Sequence, residues 1–298
     1  MARSSSVNFG ARKLLIGLFE RLRRQPQTKF WHRQLSAGVI KIIMPTINSA
    51  RYIDIILSYY RDMNIPVTVF VDSKTTDETA AIAARYAHEV ITFKNPATRV
   101  GEMIEGMSRL CRTRWILRID DDELPSIRMM EFVRGVISCK KYHVVGFNRY
   151  QCIFNCSGDL YQNLVHDPHT HRQWRLYRPD KVTFHGRGHS PGFDFEYPRG
   201  LNAPLESFLI HLDWVVHSRE ERMEKLTRYD AHTPGHGMPF KSYYLADESA
   251  GFREELRPLP SLEFDQIGRQ LVARFPESAV LMKALNAADA ACALRRDH

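Results

Sequence analysis

From residue 38 onward, apolar and polar positions follow two alternating rhythms. Apolar runs at Val39–Met44, Val67–Val71, Glu89–Phe93 and Trp115–Ile119 have the length of buried strands, and Pro45, Asp72 and Asp120 end three of them. Between the runs the period changes. Ile53, Ile56, Leu57 and Tyr60 recur at helical spacing within Ala50–Met63, and Thr76–Tyr86 reads as a second helix. Val100, Ile104, Met107 and Cys111 share one face of a third. Strands alternating with helices predict an α/β fold of Rossmann type, a mostly parallel central sheet with right-handed crossovers.

Beyond residue 140 the pattern loosens. Tyr142–Phe147 reads as a strand, Ser218 and Glu221 form a capping box opening a helix through Tyr229, and Phe264–Arg296 reads as helical. Ahead of the sheet, Phe9–Arg24 places Leu14, Leu15, Leu18, Phe19 and Leu22 on one helical stripe, with Lys13, Glu20 and Arg24 opposite. The expected organisation is a basic amphipathic segment (1–35), a catalytic domain (36–215) and a helical C-terminal region (216–298).

Charge sharpens this picture. The 298 residues carry a net +8, but Arg3, Arg12, Lys13, Arg21, Arg23, Arg24, Lys29 and Arg33 stand against Glu20 alone in the first 33. The remaining chain is within one charge of neutrality, which excludes a general polyanion-binding body, and no nucleic-acid partner is expected. A basic amphipathic helix at residues 9–24 suits an anionic membrane surface; packing on the protein itself and a transit peptide are the other readings. No run reaches the ~18 apolar residues of a spanning helix. The five cysteines form no C-x-x-C pair, as in a reducing compartment. The expected location is the cytoplasm, peripheral at the inner face of a membrane. Neither Cys152 with Cys156 nor His166, His169 and His171 matches a familiar zinc spacing.

Asp120-Asp121-Asp122-Glu123 carries the chemistry. Four successive carboxylates repel one another after an apolar strand, and a divalent cation relieves that repulsion; Mg²⁺ and Mn²⁺ prefer such oxygen ligands. The plainer reading is an acidic turn at the start of the helix near 126–136. Pro45–Asn48, Asp72 and Asp120–Glu123 all fall at the carboxyl ends of predicted strands, where open α/β sheets bind ligands.

These residues also carry a resemblance. Ile43-Met44-Pro45-Thr46, the segment Val71-Asp72 through Asp77-Glu78-Thr79, and Trp115 through Glu123 resemble family-2-type glycosyltransferases of the GT-A fold, with their V-D-x-x-S-x-D-x-T and D-x-D-E motifs. The resemblance implies a metal-dependent, inverting transferase moving a sugar from a nucleoside-diphosphate donor to an acceptor hydroxyl. Asp72 would bind the base, and Pro45, Thr46, Asn48, Arg99, Asp120 and Asp121 would complete the donor site. Asp120, Asp122 and His211 would hold Mn²⁺ or Mg²⁺. The acceptor would be a carbohydrate, a lipid-linked group or a peptide.

More weakly, Trp174–Arg178 and Phe184–His189 are similar to the family's R-L-F-R … G-x-x-H-E signature, in which the glutamate activates the acceptor. Ser190 stands at that position, so Asp194, Glu196 and His189 become the candidate bases. Two other functions fit part of the pattern. A sugar nucleotidyltransferase would need a glycine-rich loop after the first strand, and Met44–Asn48 has none. A non-catalytic carbohydrate-binding scaffold would explain Ser190.

Overall fold

The structure, a computed structural model, describes residues 27–94, 100–155, 158–163, 172–185, 191–232, 235, 237–238, 241–245, 256–259 and 262–275. Residues 9–24, Arg99, His166, His169, His171, Cys156, His189, Ser190 and the tail beyond 275 lie outside them.

After helix α1 (Gln27–Ser36), strands β1 (Ile40–Thr46), β2 (Thr68–Asp72), β3 (Glu89–Phe93) and β4 (Trp115–Arg118) are joined by α2 (Ile53–Asp62), α3 (Thr79–Tyr86) and α4 (Val100–Cys111). All four strands are parallel, in the order β4-β1-β2-β3. The alternation of apolar runs and helical stripes therefore predicts these elements correctly, with boundaries displaced by a few residues.

The second half follows as β5 (Glu123–Pro125), α5 (Ile127–Val136), β6 (Val144–Phe154), β7 (Leu160–Asn163), β8 (Gln173–Tyr177), β9 (Thr183–Phe184), β10 (Phe193–Asp194), β11 (Gly200–Asn202) and β12 (Phe208–His211). Then come α6 (Asp213–Val216), α7 (Arg219–His232), α8 (Lys241–Tyr244), β13 (Leu256–Pro258) and α9 (Asp265–Arg274). β8 inserts antiparallel between β4 and β6, so β6 again runs in the direction of β4. β12 pairs parallel with β6 and antiparallel with β5, which sets Glu123, His211 and Gln151 side by side on three strands. The result is an α/β fold around a curled, largely parallel sheet.

Buried side chains fill both faces of the sheet. The main core gathers Ile42, Met44, Ile56, Tyr60, Leu117, Phe147, Leu209 and Ile210 with residues of α1, α5 and α9. A second cluster packs Ile43, Phe70, Ile104, Met107, Tyr177 and Phe193 on the α4 side. Ser126 caps α5 by accepting from the Met129 amide at 3.1 Å, so the acidic run before it is not spent on the helix start. The capping box of α7 is closed in both directions: Ser218 N donates to Glu221 Oε2 (2.7 Å) and Glu221 N to Ser218 Oγ (3.3 Å).

Two regions read as appendages pack into the main core. Trp31 is fully buried and Phe30 nearly so, with the Arg134 guanidinium 4.5 Å from the Phe30 ring centroid. From the other end, Phe264 stacks on Tyr59, and Ile267 and Leu271 are buried. Among the described residues no helix is long and apolar enough to cross a membrane.

Because Trp31 fills a packed site, Trp31→Ala is expected to lower stability by about 3–5 kcal/mol. Removal of residues 1–26 should leave the unfolding midpoint within error of the full chain. Urea unfolding of the two variants checks both; a destabilisation below ~1 kcal/mol in Trp31→Ala would mean α1 is only loosely docked.

Candidate active site

β1, β2 and β4 end on one edge of the sheet, and the loops beyond them meet there. Asn48 sits at φ +51°, a left-handed conformation that asparagine tolerates. Its Oδ1 accepts from the Thr76 amide at 2.8 Å, reaching from the loop after β1 to the loop after β2. Asp77 answers in the other direction, accepting from the Ala50 amide (3.0 Å) and from Thr79, whose hydroxyl in turn accepts from Ser49 N (2.7 Å). Asp72 closes β2, buried, and its Oδ1 accepts from the Lys74 amide at 2.9 Å. Pro45 and Thr46 are buried at the end of β1, whereas Asn48 is exposed. Asp77 and Thr79 thus serve the loops themselves.

The four acidic residues after β4 divide among three sets of partners, Asp120 and Glu123 sharing Arg175. Asp120 meets Arg175 Nη2 at 2.6 Å and lies 3.5 Å from Arg118 Nη1. Asp121 accepts from Thr46 Oγ1 (2.6 Å) and from Ser49 Oγ. Asp122 faces His211 Nε2 at 3.1 Å. Glu123, fully buried, accepts from Arg149 Nη1 (3.1 Å), from Arg175 Nη2 and from the Asp120 amide (3.1 Å). Burial and the neighbouring Asp122 charge push the Asp121 carboxyl up to about 6, against the hydrogen bonds from Ser49 and Thr46. Burial acts upward on Asp122, but as long as His211 carries a proton at Nε2 its charge and hydrogen bond, with the Lys225 ammonium, outweigh burial and hold Asp122 well below the usual carboxylate range.

His211 ends β12, whose pairing with β5 is extended by the Leu212 amide donating to the Asp122 carbonyl at 2.8 Å. Two residues further, Asp213 completes a group: ligating atoms of Asp122, His211 and Asp213 all lie within 4.8 Å of one another. Asp213 Oδ1 is engaged by Lys225 Nζ (2.8 Å) and His217 Nδ1 (3.1 Å), while the buried Oδ2 has no hydrogen-bond partner among the described residues. Burial lowers the His211 imidazole towards its neutral, ligating form. Lys225 is held charged by Asp213 despite its burial. Two ionised carboxylates, one of them with an orphaned oxygen, and a neutral imidazole form a donor set that a divalent cation fits.

Asp213 is not among the residues that the sequence singles out. The available signal is the H-x-D spacing at the end of an apolar run, which brings a histidine and a carboxylate to one strand terminus. Arg175, Arg149 and Lys225 also emerge only from the fold. Asp120, expected at the metal, stands outside the three-residue group and against Arg175 and Arg118. Pro45, Thr46, Asn48, Asp72 and Asp121 share the edge with it.

Asp194 and Glu196 do not. β6 begins at the end of the sheet opposite Asp120, and there the charges of Lys181 and Glu196 act on His143, the residue before β6. Asp194 pairs with Thr183, two residues after Lys181, and its mostly exposed carboxylate lies 3.4 Å from His185 Nε2. Tyr177 sits opposite Ile116, four residues before Asp120, so the two ends are ~13 Å apart at the ~3.3 Å rise of a strand. The turn through Pro191-Gly192 leaves both carboxylates at that end of the sheet.

A family model described as Glycosyl transferase family 2 matches residues 41–200. Among solved structures, the chain is similar to S. aureus TarS 1-349, at 12% identity over 83% of this chain and 82% of that one, with a TM-score of 0.42. The same TarS fragment in complex with UDP-GlcNAc gives 13% identity, 83% of each chain and 0.42. Glucosyl-3-phosphoglycerate synthase from Mycobacterium tuberculosis, in complex with Mn²⁺, UDP and glucosyl-3-phosphoglycerate, gives 14% identity and 0.33. That match covers 43% of this chain and only 50% of the synthase, about half its length. No curated protein matches the chain.

Asp121 binds its proton more readily in the folded than in the unfolded chain. Its contribution to stability is therefore complete below about pH 4 and is lost as pH rises through about 6. Asp121→Asn keeps an oxygen for Thr46 and Ser49 without the charge. In chelator, its stability is expected to vary less between about pH 4 and 7 than that of the wild type, measured by urea midpoints; parallel profiles would refute the assignment.

Proposed function

Since this chain belongs to glycosyl transferase family 2, we propose that it transfers a sugar from a nucleoside-diphosphate donor to an acceptor hydroxyl, with a divalent cation, Mn²⁺ or Mg²⁺, held by Asp122, His211 and Asp213. The observation that carries this reading is the convergence of those three buried ligands beside the strand ends, with Asp213 Oδ2 left without a partner among the described residues. Such a cation, when bound, neutralises charge gathering on a departing diphosphate. Asp72 and the loop 45–48 take the nucleoside, with the base at Asp72, and Arg99 joins the donor site. Asp120, oriented by Arg175, faces the donor ribose, and Asp121 braces the loop through Thr46 and Ser49.

The acceptor, a carbohydrate, lipid-linked group or peptide, must lose its hydroxyl proton to a base within hydrogen-bond reach. Asp194 and Glu196 stand at the far end of the sheet, so we assign this step to His189. A base opposite the leaving diphosphate gives inversion at the anomeric carbon. His189→Gln is expected to slow transfer ~10²-fold or more, while Asp194→Asn changes it little; the reverse pattern would return the role to Asp194.

For the metal reading, Asp213→Asn and Asp122→Asn should each abolish Mn²⁺-stimulated transfer and donor hydrolysis while preserving the fold. EDTA should reproduce the effect in the wild type, and added Mn²⁺ or Mg²⁺ should reverse it. Full turnover in chelator would overturn metal dependence. A protein with no turnover of any nucleotide-sugar would instead be a scaffold.

The basic segment 9–24 is assigned to an anionic membrane surface, at the inner face of a membrane. Because Trp31 is buried, the informative truncation ends at residue 26. The full chain should sediment with anionic vesicles at low salt and release them at high salt, and the truncated chain should not bind. Equal binding by both would place the contact elsewhere.

A further inference from the structure

A side chain from the C-terminal region reaches the back of the proposed metal site. Tyr243, on α8, brings its hydroxyl to 2.7 Å from Arg149 Nη2, 2.9 Å from Gln151 Oε1 and 3.4 Å from His211 Nδ1. Gln151 Oε1 lies 2.5 Å from His211 Nδ1. Arg149 also holds Glu123, so the contacts form one chain: Glu123, Arg149, Tyr243, Gln151, His211. Its polarity follows from what each group can do.

A guanidinium only donates, so the Tyr243 oxygen accepts from Arg149. The single phenolic proton then goes to the nearer remaining neighbour, Gln151 at 2.9 Å rather than His211 at 3.4 Å. That end of the amide must accept, which makes it the oxygen, and leaves Gln151 Nε2 without a hydrogen-bond partner among the described residues. The oxygen also faces His211 Nδ1, which therefore carries a proton. In a neutral imidazole the other nitrogen is then bare. This bare Nε2 is the atom 3.1 Å from Asp122 Oδ2. Two lone pairs that close repel one another, and a divalent cation chelated by both would relieve the repulsion.

From this geometry we infer that Tyr243 is a positioning residue: its hydroxyl orients Gln151, and through it selects the Nδ1–H tautomer that frees His211 Nε2 for a divalent cation. The inference rests on the metal reading of Asp122, His211 and Asp213. It extends the site to α8, so that the C-terminal region tunes a ligand held by β12. Groups behind a metal-bound histidine commonly govern affinity by about 10–100-fold.

Two readouts on the full-length chain test it. In the ¹⁵N-histidine-labelled, metal-free protein, long-range ¹H–¹⁵N spectra, assigned with His211→Gln, should show His211 protonated at Nδ1. Tyr243→Phe should shift it to the Nε2–H form or a mixture, and should weaken Mn²⁺ binding ~10-fold or more by titration of the free ion. Gln151→Glu in the Tyr243→Phe background should restore the Nδ1–H form, because a carboxylate only accepts. A variant damaged merely in packing would not be rescued this way. An unchanged tautomer in Tyr243→Phe, or an Nε2–H wild type, overturns the proposal. A tautomer that responds as described in a protein that binds no Mn²⁺ leaves Tyr243 its role and removes the metal reading instead.

Discussion

Gathering four adjacent carboxylates at one strand end, Asp122 and Glu123 buried and Asp120 and Asp121 half-buried, is the constraint on which this edge of the molecule depends. Two unit charges about 4 Å apart repel by about 4 kcal/mol even at an effective dielectric constant of about 20, and each also loses its hydration. Left together and unpaired, Asp120–Glu123 would not remain beneath the surface. The fold disperses them. Successive residues after β4 turn towards different neighbours: guanidinium groups for Asp120 and Glu123, hydroxyls for Asp121, an imidazole for Asp122. What looks like one motif is three solutions, with Asp120 and Glu123 sharing Arg175.

Those solutions dictate the topology of the second half. Arg175 must come from β8 beside β4, and Arg149 and Gln151 from β6 beyond it. His211 and Asp213 require β12 to thread back between β5 and β6. Lys225 needs the capped start of α7 at a set distance from Asp213. Each returning segment carries a countercharge or a hydrogen-bonding partner for the acidic run, so the irregular half of the chain is organised by electrostatics as much as by apolar burial. A buried pair of this kind adds little net stability, but removing one member leaves the other stranded at a cost of several kcal/mol.

The sequence is legible where periodicity speaks. Four apolar runs and three helical stripes define the parallel sheet, and strand ends give Asp72 and the acidic motif their common edge. Ser218 and Glu221 announce α7 by a local rule. What stays hidden depends on pairing between distant strands. Nothing local says that β12 lies between β5 and β6, so Asp213 has no visible companion in the sequence, and Arg149 looks like any charge in a strand. Asp194 and Glu196 are likewise placed by pairing that nothing local announces, near the start of β6.

The tie between the loops after β1 and β2 has a consequence for how recognition could change. Asn48 grips Thr76, and Asp77 and Thr79 grip Ala50 and Ser49, so the two loops form one lip fastened from both sides. A lip fastened in this way needs little ordering when something binds against it. The same fastening makes the rim resistant to piecemeal revision. A change in one loop strains its counterpart, so a new preference must be reached by paired substitutions across the lip, and isolated ones would loosen it first.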